Sequence, residues 1–274
     1  MIGSKGIGKI QGTERITEYQ HVRLQVVNRV GWLDYSKPPI NAFHWQMVDE
    51  VHQGLKQYLA DREVRVIVLG SALDRFFSAG ADITVFQGIG ETGMRDWVNT
   101  AHEVARTLRQ SHKPLLAAIN GTAVGGGLEM TLHCDLRFAA TDARLGQPEI
   151  ALNFIPPIAA TQALARLIGR PRAIRLLYDG ALLSAQEAFE IGLVDTLVAP
   201  NELRREVQAY GETLAGKPPE ALAAIRQSIT LGGSMSFDDG LAMEKDFVTS
   251  LAGTANFDEG VSAFLEKRAP QWED

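Results

Sequence analysis

The sequence predicts an α/β protein, with a first part of alternating strands and helices followed by a mostly helical extension. Three observations carry this. The apolar run Pro114-Leu-Leu-Ala-Ala-Ile119 has the composition of a buried parallel strand. It leads through Gly121 and Gly125-Gly126-Gly127 into the short helical stretch Leu128-Glu129-Met130-Thr131-Leu132. A second buried strand, Val64-Arg-Val-Ile-Val-Leu69, ends at Gly70, and from Ala159 onward apolar residues recur at helical spacing.

Taken in order, Met1 to Gln20 has mixed charge and no apolar h-region, which argues against a secretory signal, and Glu14 and Glu18 speak against a transit peptide. Gly3 to Lys9 has the G-x-x-x-x-G-K spacing of a P-loop. However, Ile10 stands where Ser or Thr belongs and no strand precedes it, so residues 1–20 are expected to be a flexible tail. His21 to Val27 alternates as a strand, with Val30 to Tyr35 as its hairpin partner. Lys37-Pro-Pro39 breaks the pattern, and a helix is expected from about Asn41 to Leu59. After the strand at Val64, Phe77 to Ile83 reads as a glycine-containing loop and Glu91 to Gln110 as an amphipathic helix. Asp135 to Ala140 and Arg144-Leu145 read as short strands. The later helices are separated by Gly169-Arg-Pro171, Gly180, Gly192, Pro200, Pro218-Pro219 and Gly232-Gly233. Periodicity alone permits a Rossmann-like arrangement, but the G-x-G-x-x-G fingerprint is missing.

The composition, 45% apolar and 22% charged over 274 residues, is that of a globular chain able to bury a core. A net charge of −6 disfavours nucleic acid as the partner. Cys134 is the single cysteine, so no internal disulfide can form, which is compatible with the reducing, cytoplasmic setting expected here. No apolar run reaches the ~18 residues of a membrane span, so no membrane partner is expected. The six histidines are scattered without a ligand-like pair, and no metal is expected.

Strand, glycine turn and helix together aim backbone N–H groups at negative charge. Two glutamates, Glu129 and Glu149, stand 20 residues apart around this turn. Taken singly, Glu129 reads as an acidic residue in a first helical turn and Glu149 as a surface residue. Combined with anion-binding amides, the pair suggests acid–base chemistry on a substrate that becomes an oxyanion.

The run Ala123-Val-Gly-Gly-Gly-Leu-Glu129, then Cys134-Asp-Leu-Arg-Phe-Ala-Ala140, then Gln147-Pro-Glu-Ile150 resembles the enoyl-CoA hydratase/isomerase, or crotonase, superfamily. Phe77-Ser-Ala-Gly-Ala-Asp-Ile83 and Phe264-Leu-Glu-Lys-Arg268 match further blocks of that family, in the same order, from about Tyr19 to the C-terminus. The resemblance implies a spiral of ββα units over residues 21–200 and a C-terminal helical region, 201–274, used in homotrimer or dimer-of-trimers assembly. It implies a CoA-thioester substrate with no separate cofactor, and an oxyanion hole made by the backbone N–H groups of Ala81 and Gly126. Glu129 and Glu149 would be the catalytic carboxyls. Ala42, Ala79, Asp82, Ile83, Phe264 and Lys267 would contact CoA, the last two from a neighbouring subunit, and Pro157 and Ile158 would line the acyl pocket. Acids at both positions 129 and 149 lean toward hydration in fatty acid metabolism, because related isomerases can work with one carboxylate.

The chain also departs from the pattern. The family's hydratases usually carry I-P-G-A-G-G-T-Q, and here the stretch is Ile155-Pro-Pro-Ile-Ala-Ala-Thr-Gln162. By resemblance, Pro157 replaces a glycine whose N–H helps hold the reacting water, and proline has no N–H. Some divergent crotonases carry this proline, among them hydratase–lyases acting on aromatic enoyl-CoAs, so an unusual acyl group is one expectation. The competing readings are an isomerase or another crotonase reaction such as hydrolysis, and a non-catalytic crotonase-like scaffold. The retained glutamates and glycine turn argue against the scaffold, and the net negative charge argues against RNA binding.

Overall fold

The computed structural model describes residues 5–10 and 14–273. The strands and helices, in order, are β1 (Lys5–Ile10), β2 (Glu14–Glu18), β3 (Val22–Val27), β4 (Val30–Tyr35), α1 (Trp45–Ala60), β5 (Val66–Ser71), β6 (Phe76–Ser78), α2 (Gly90–Arg109), β7 (Leu115–Ile119), β8 (Thr122–Val124), α3 (Gly126–Thr131), β9 (Leu136–Ala140) and β10 (Arg144–Gly146). Then follow α4 (Ala160–Leu167), α5 (Arg170–Asp179), β11 (Leu182–Ser184), α6 (Ala185–Glu190), β12 (Thr196–Val198), α7 (Leu203–Ala215), α8 (Pro219–Gly232), α9 (Phe237–Leu251) and α10 (Ala255–Glu266). Short 3-10 turns lie at Ile83–Phe86 and Pro148–Leu152.

A large sheet has the order β1-β2-β3-β4-β5-β7-β9-β12, and a small one the order β11-β10-β8-β6. The strands from β4 to β12 in the large sheet pair in parallel, as do β6, β8 and β10 in the small one. From β5 to β10, each turn of the chain gives one strand to the large sheet and the next to the small sheet before a helix follows. This is the expected ββα spiral with its C-terminal helical region.

Alternation along β4 assigns the faces. On one face, Val30 packs under Gly211 of α7, the Trp32 indole donates to Gln208 Oε1 at 2.6 Å, and the Arg204 guanidinium lies 3.9 Å from the Trp32 ring centre. On the other face, Leu33 meets Gly54 of α1, and the Tyr35 ring packs edge-on against Phe43 and Phe77, each 5.2 Å away. That second face carries the small sheet. β5 and β7 are buried along almost their whole length, as strands covered on both sides must be.

The β3–β4 hairpin turns on Asn28-Arg29, both at positive φ (48° and 68°), the geometry of a tight two-residue turn. Three expectations are corrected. The first helix starts at Trp45 rather than near Asn41, because Asn41 is itself at φ 51° with its side chain bonded into the loop, and His44 caps the helix by accepting from Met47 N. Phe77 to Ile83 is not all loop, since it begins with the end of β6. The mostly helical stretch after Ala159 also holds two three-residue strands, β11 and β12, too short to show a period of two. In the expected tail, β1 and β2 pair antiparallel and extend the large sheet, while Gly3 and Ser4 of the P-loop-like stretch lie outside the described residues.

The C-terminal helices are tied to the core by Arg226 of α8, which is 5% exposed. It donates to Asp135 at 2.9 Å and to the carbonyls of Leu108 (2.9 Å), Arg109 (3.1 Å) and Ser111 (2.6 Å), closing the C-terminal end of α2. Replacing Arg226 by Met strands these acceptors and Asp135. Urea unfolding should show a loss of about 3–5 kcal/mol, and a loss below about 1 kcal/mol would mean that water takes over the acceptors.

Candidate active site

The small sheet assembles the site. β6, β8 and β10 run side by side in parallel, so the segments leaving their C-terminal ends emerge together: Ala79-Gly80-Ala81, Gly125-Gly126, and Gln147-Pro148-Glu149. Open parallel sheets place ligands at this end of the strands. The segments approach so closely that two of them need glycine. Gly80 has φ 82°, and a Cβ there would sit 2.8 Å from the Val124 carbonyl oxygen and 3.2 Å from Gly126 N. Gly125 has φ 52°, and its missing Cβ would lie 2.9 Å from Glu149 Oε1.

Two backbone donors are left over where these segments meet. Phe43 bridges to Ala81 in parallel, and its bonds go to the neighbours of Ala81: Phe43 N–H to the Gly80 carbonyl and Asp82 N–H to the Phe43 carbonyl, both at 2.7 Å. In that register the Ala81 N–H points away from Phe43. Gly126 is the first residue of α3, where an N–H has no intrahelical acceptor. Neither N–H has a partner among the described residues. Together they can accept a developing oxyanion.

The two glutamates have different surroundings. Glu129 is fully buried; its Oε1 accepts from Ile158 N–H at 2.7 Å and Ala160 N–H at 3.0 Å, and its Oε2 has no partner. Burial pushes its carboxyl up to about 8, against the pull of the Ala160 N–H and with the charge of Glu149 adding to the rise. Since Oε1 receives two N–H groups, the proton of the neutral acid resides on Oε2. Glu149 keeps 8% exposure, and burial raises it to about 7. The Gln147 amide, turned so that its nitrogen faces the carboxylate, donates to both Glu149 oxygens at 3.0 and 3.1 Å. Burial thus favours the neutral form of both carboxyls, more strongly at Glu129 than at Glu149.

A cleft with about 640 Å³ of empty space, partly open to solvent, runs past these groups. Ala79, Ala81, Ile83, Gly126, Glu149, Pro157 and Ile158 line it, with Phe43, Phe86, Trp97 and Phe154 forming an aromatic wall. Glu149 is its single ionisable lining residue; Glu129 does not line it and is bonded by the N–H of Ile158, which does. Ala42 and Asp82 stand at the side of the cleft, joined by Lys37, whose ammonium donates to the Ala42 carbonyl at 2.9 Å and to Asp82 at 3.1 Å. Phe264 and Lys267 are not brought to this cleft by their own chain. Phe264 is 83% exposed and lines a separate apolar groove, and Lys267 ends α10 at φ 56°.

Sequence reasoning missed Lys37, Asn41 and Gln147. Lys37 sat in a stretch read only as a break, and its role depends on a partner 45 residues away. Asn41 is fully buried and donates to Ser71 Oγ and the Phe77 carbonyl, fixing the loop under Ala79. Gln147 was within a quoted motif, yet only folding shows its amide on Glu149. Among the described residues no group of three or more His, Cys, Asp or Glu could hold a metal, and no helix is long and apolar enough to cross a membrane.

Comparison with known proteins places these features in context. Residues 27–274 match the model of the family described as enoyl-CoA hydratase/isomerase. The chain is 33% identical to a crotonyl-CoA hydratase of Syntrophomonas wolfei, covering 91% of this chain and 96% of that one. It is 32% identical to an (E)-benzylidenesuccinyl-CoA hydratase of Thauera aromatica, covering 91% and 97%. It superposes on the crystal structure of an enoyl-CoA hydratase from Bacillus anthracis with a TM-score of 0.88 and 34% identity, covering 92% and 99%.

The raised carboxyls make stability depend on pH. Both folded values lie above those of an unfolded glutamate, so their contribution is full at acid pH and is lost as pH rises through about 7 and about 8. Glu129→Gln keeps an oxygen for Ile158 and Ala160 and removes the ionisation. Thermal unfolding between about pH 5 and about pH 9 should show a smaller loss of Tm in the variant than in the wild type. Equal losses would mean that Glu129 is not held neutral.

Proposed function

The chain belongs to the enoyl-CoA hydratase/isomerase family, which works on CoA thioesters, and from that premise we propose that it is an enoyl-CoA hydratase, adding water across the C2=C3 double bond. The observation that carries this is the pair of buried carboxyls, Glu129 and Glu149, beside the two unpartnered backbone N–H groups of Ala81 and Gly126. In this reading the thioester C=O accepts from Ala81 N–H and Gly126 N–H. The ionised carboxyl takes a proton from water, and the resulting hydroxide adds to C3. The C2=C3 electrons move onto the thioester oxygen as an enolate, which the two N–H groups stabilise. The protonated carboxyl gives its proton to C2, so one water is added and the pair ends with the proton exchanged between its members. One oxyanion donor is typically worth about 3–4 kcal/mol in such a transition state.

The acyl group lies against Pro157, Ile158 and the aromatic wall, and CoA leaves along Ala42, Ala79, Asp82 and Ile83. Phe264 and Lys267 reach the nucleotide from a neighbouring copy in a homotrimer or dimer of trimers. This assembly is supported by α9, none of whose residues is buried within a single chain, and by the exposure of Phe264. A second reading has its own support. Glu149 lines the cleft and Glu129 does not, an arrangement that suits an isomerase moving a proton between C2 and C4 with one carboxylate.

A panel of aliphatic, cyclic and aromatic enoyl-CoAs separates the readings: hydration removes the enoyl absorbance without forming an isomer. Glu149→Gln and Glu129→Gln should each lower turnover by about 10²–10⁴-fold with the fold intact. Near-normal turnover in Glu129→Gln would favour the isomerase. Calorimetric titration with acetoacetyl-CoA, an enolate-like ligand, should show binding, and none at millimolar ligand would sink both enzyme readings.

Pro157 tests the acyl group. Pro157→Gly restores a backbone donor facing the site. Turnover of crotonyl-CoA should rise by about 2- to 13-fold, the worth of one neutral hydrogen bond. Fast wild-type hydration of crotonyl-CoA, with no gain in the variant, would show that the chain is a short-chain hydratase that holds its water without that amide.

A further inference from the structure

The segment Pro157 to Ala160, which holds Glu129 through two N–H groups, is itself held from behind by two histidines. His102 of α2 places Nε2 2.8 Å from the Pro157 carbonyl oxygen. His133, just after α3, places Nε2 2.9 Å from the Ile158 carbonyl oxygen. A carbonyl oxygen can only accept, so both imidazoles carry a proton on Nε2. His133 is buried, its Nδ1 has no partner, and burial holds it down at about 4, so it stays neutral and acts as a fixed clamp.

His102 is placed differently. The Pro157 carbonyl that it bonds and the Ile158 N–H that bonds Glu129 Oε1 belong to one peptide group. A donor on the oxygen of an amide polarises it and strengthens its N–H as a donor on the other side. The three groups thus form a continuous chain from imidazole through peptide to carboxyl. Proline at 157 fixes φ of that residue, so ψ alone orients the peptide plane, and the bond from His102 sets it.

We propose that His102 is a positioning residue for the carboxyl pair: through the Pro157–Ile158 peptide it sets the strength and direction of the hydrogen bond that Glu129 receives. The link to turnover rests on the hydratase reading; the link to the state of Glu129 does not. The ionised form of Glu129 gains most from a strong N–H donor, so losing the imidazole raises the pH at which Glu129 titrates. The charged group facing Glu129 is Glu149. On α2, Glu103 follows His102 and Arg106 lies one turn on, while Arg109 and Arg226 stand near His133 together with His102. Glu149 is unaltered in every variant below.

The test reads Glu129 directly. In wild type carrying ¹³C-labelled glutamate and ¹⁵N-labelled histidine, the His102 Nε2 resonance should move with the titration of the Glu129 carboxyl carbon, and the step should vanish in Glu129→Gln. His102→Leu should shift the Glu129 titration to higher pH and carry the alkaline limb of the kcat profile with it. It should lower kcat by about 2- to 13-fold with KM little changed. His102→Gln, whose amide can donate to the same carbonyl, should restore both. A wild-type His102 resonance that ignores Glu129, a Leu variant with unmoved titration, or a Gln variant as impaired as Leu would each overturn the proposal. The first of these needs no variant to fold. Absence of turnover on every CoA thioester would sink the hydratase reading alone, because the resonance measurements decide the role of His102 without catalysis.

Discussion

The site depends on one close approach. The segments after β6 and β8 meet backbone to backbone, and the space a Cβ would need at Gly80 is taken by the Val124 carbonyl and Gly126 N. Side chains there would push the segments apart, and with them the unpartnered N–H groups of Ala81 and Gly126. The parallel pairing of β6 with β8 fixes the direction of that approach. β10, pairing on the far side of β8, brings in Glu149 by the same rule. The two sheets thus have separate tasks: the large one, covered by α7 and α1, supplies the buried apolar frame, and the small one aims polar groups.

Burial then sets the chemistry. A carboxyl withdrawn from water favours its neutral form unless hydrogen bonds to the anion compensate. Glu129 receives two such bonds, yet both fall on Oε1 and burial still dominates. Glu149, at the edge of the cleft with Gln147 on its oxygens, is raised less. Two residues of the same type are therefore raised to different extents by their surroundings. The stretch after the second glutamate belongs to this arrangement too. Pro157, which lines the cleft, carries no N–H, while the next amide, at Ile158, is committed to Glu129. Ala159 accepts a left-handed φ of 69° to bring Ala160 N–H to the same oxygen.

The far end of the chain follows a different logic. α8 is anchored by Arg226, but α9 has no fully buried residue in its own chain, and Phe237, Val248, Phe264 and Leu265 are widely exposed. Helices with this much bare apolar surface are read as contact surfaces, and it is on this exposure that the proposed role of Phe264 and Lys267 rests.

Local sequence by itself determined the strands around Ile67 and Ala117, the hairpin at Asn28-Arg29 and the glycine turn before Glu129, because apolar runs and glycines act over a few residues. Ordered motif blocks were enough to mark Glu129, Glu149, Ala81 and Gly126 as candidates. What sequence could not display was anything set by pairing at a distance. β11 and β12 are too short to carry a period, and Asn41 resembles a helix start until its side chain is seen bonded to Ser71 and Phe77. Lys37 looks like a solvated lysine until Asp82 is beside it. Only the tertiary structure decided that Glu129 is fully buried and bonded by the Ile158 N–H while Glu149 lines the cleft, since the charge state of a carboxyl depends on the water and dipoles around it, and those are brought together by chain segments that sequence keeps apart.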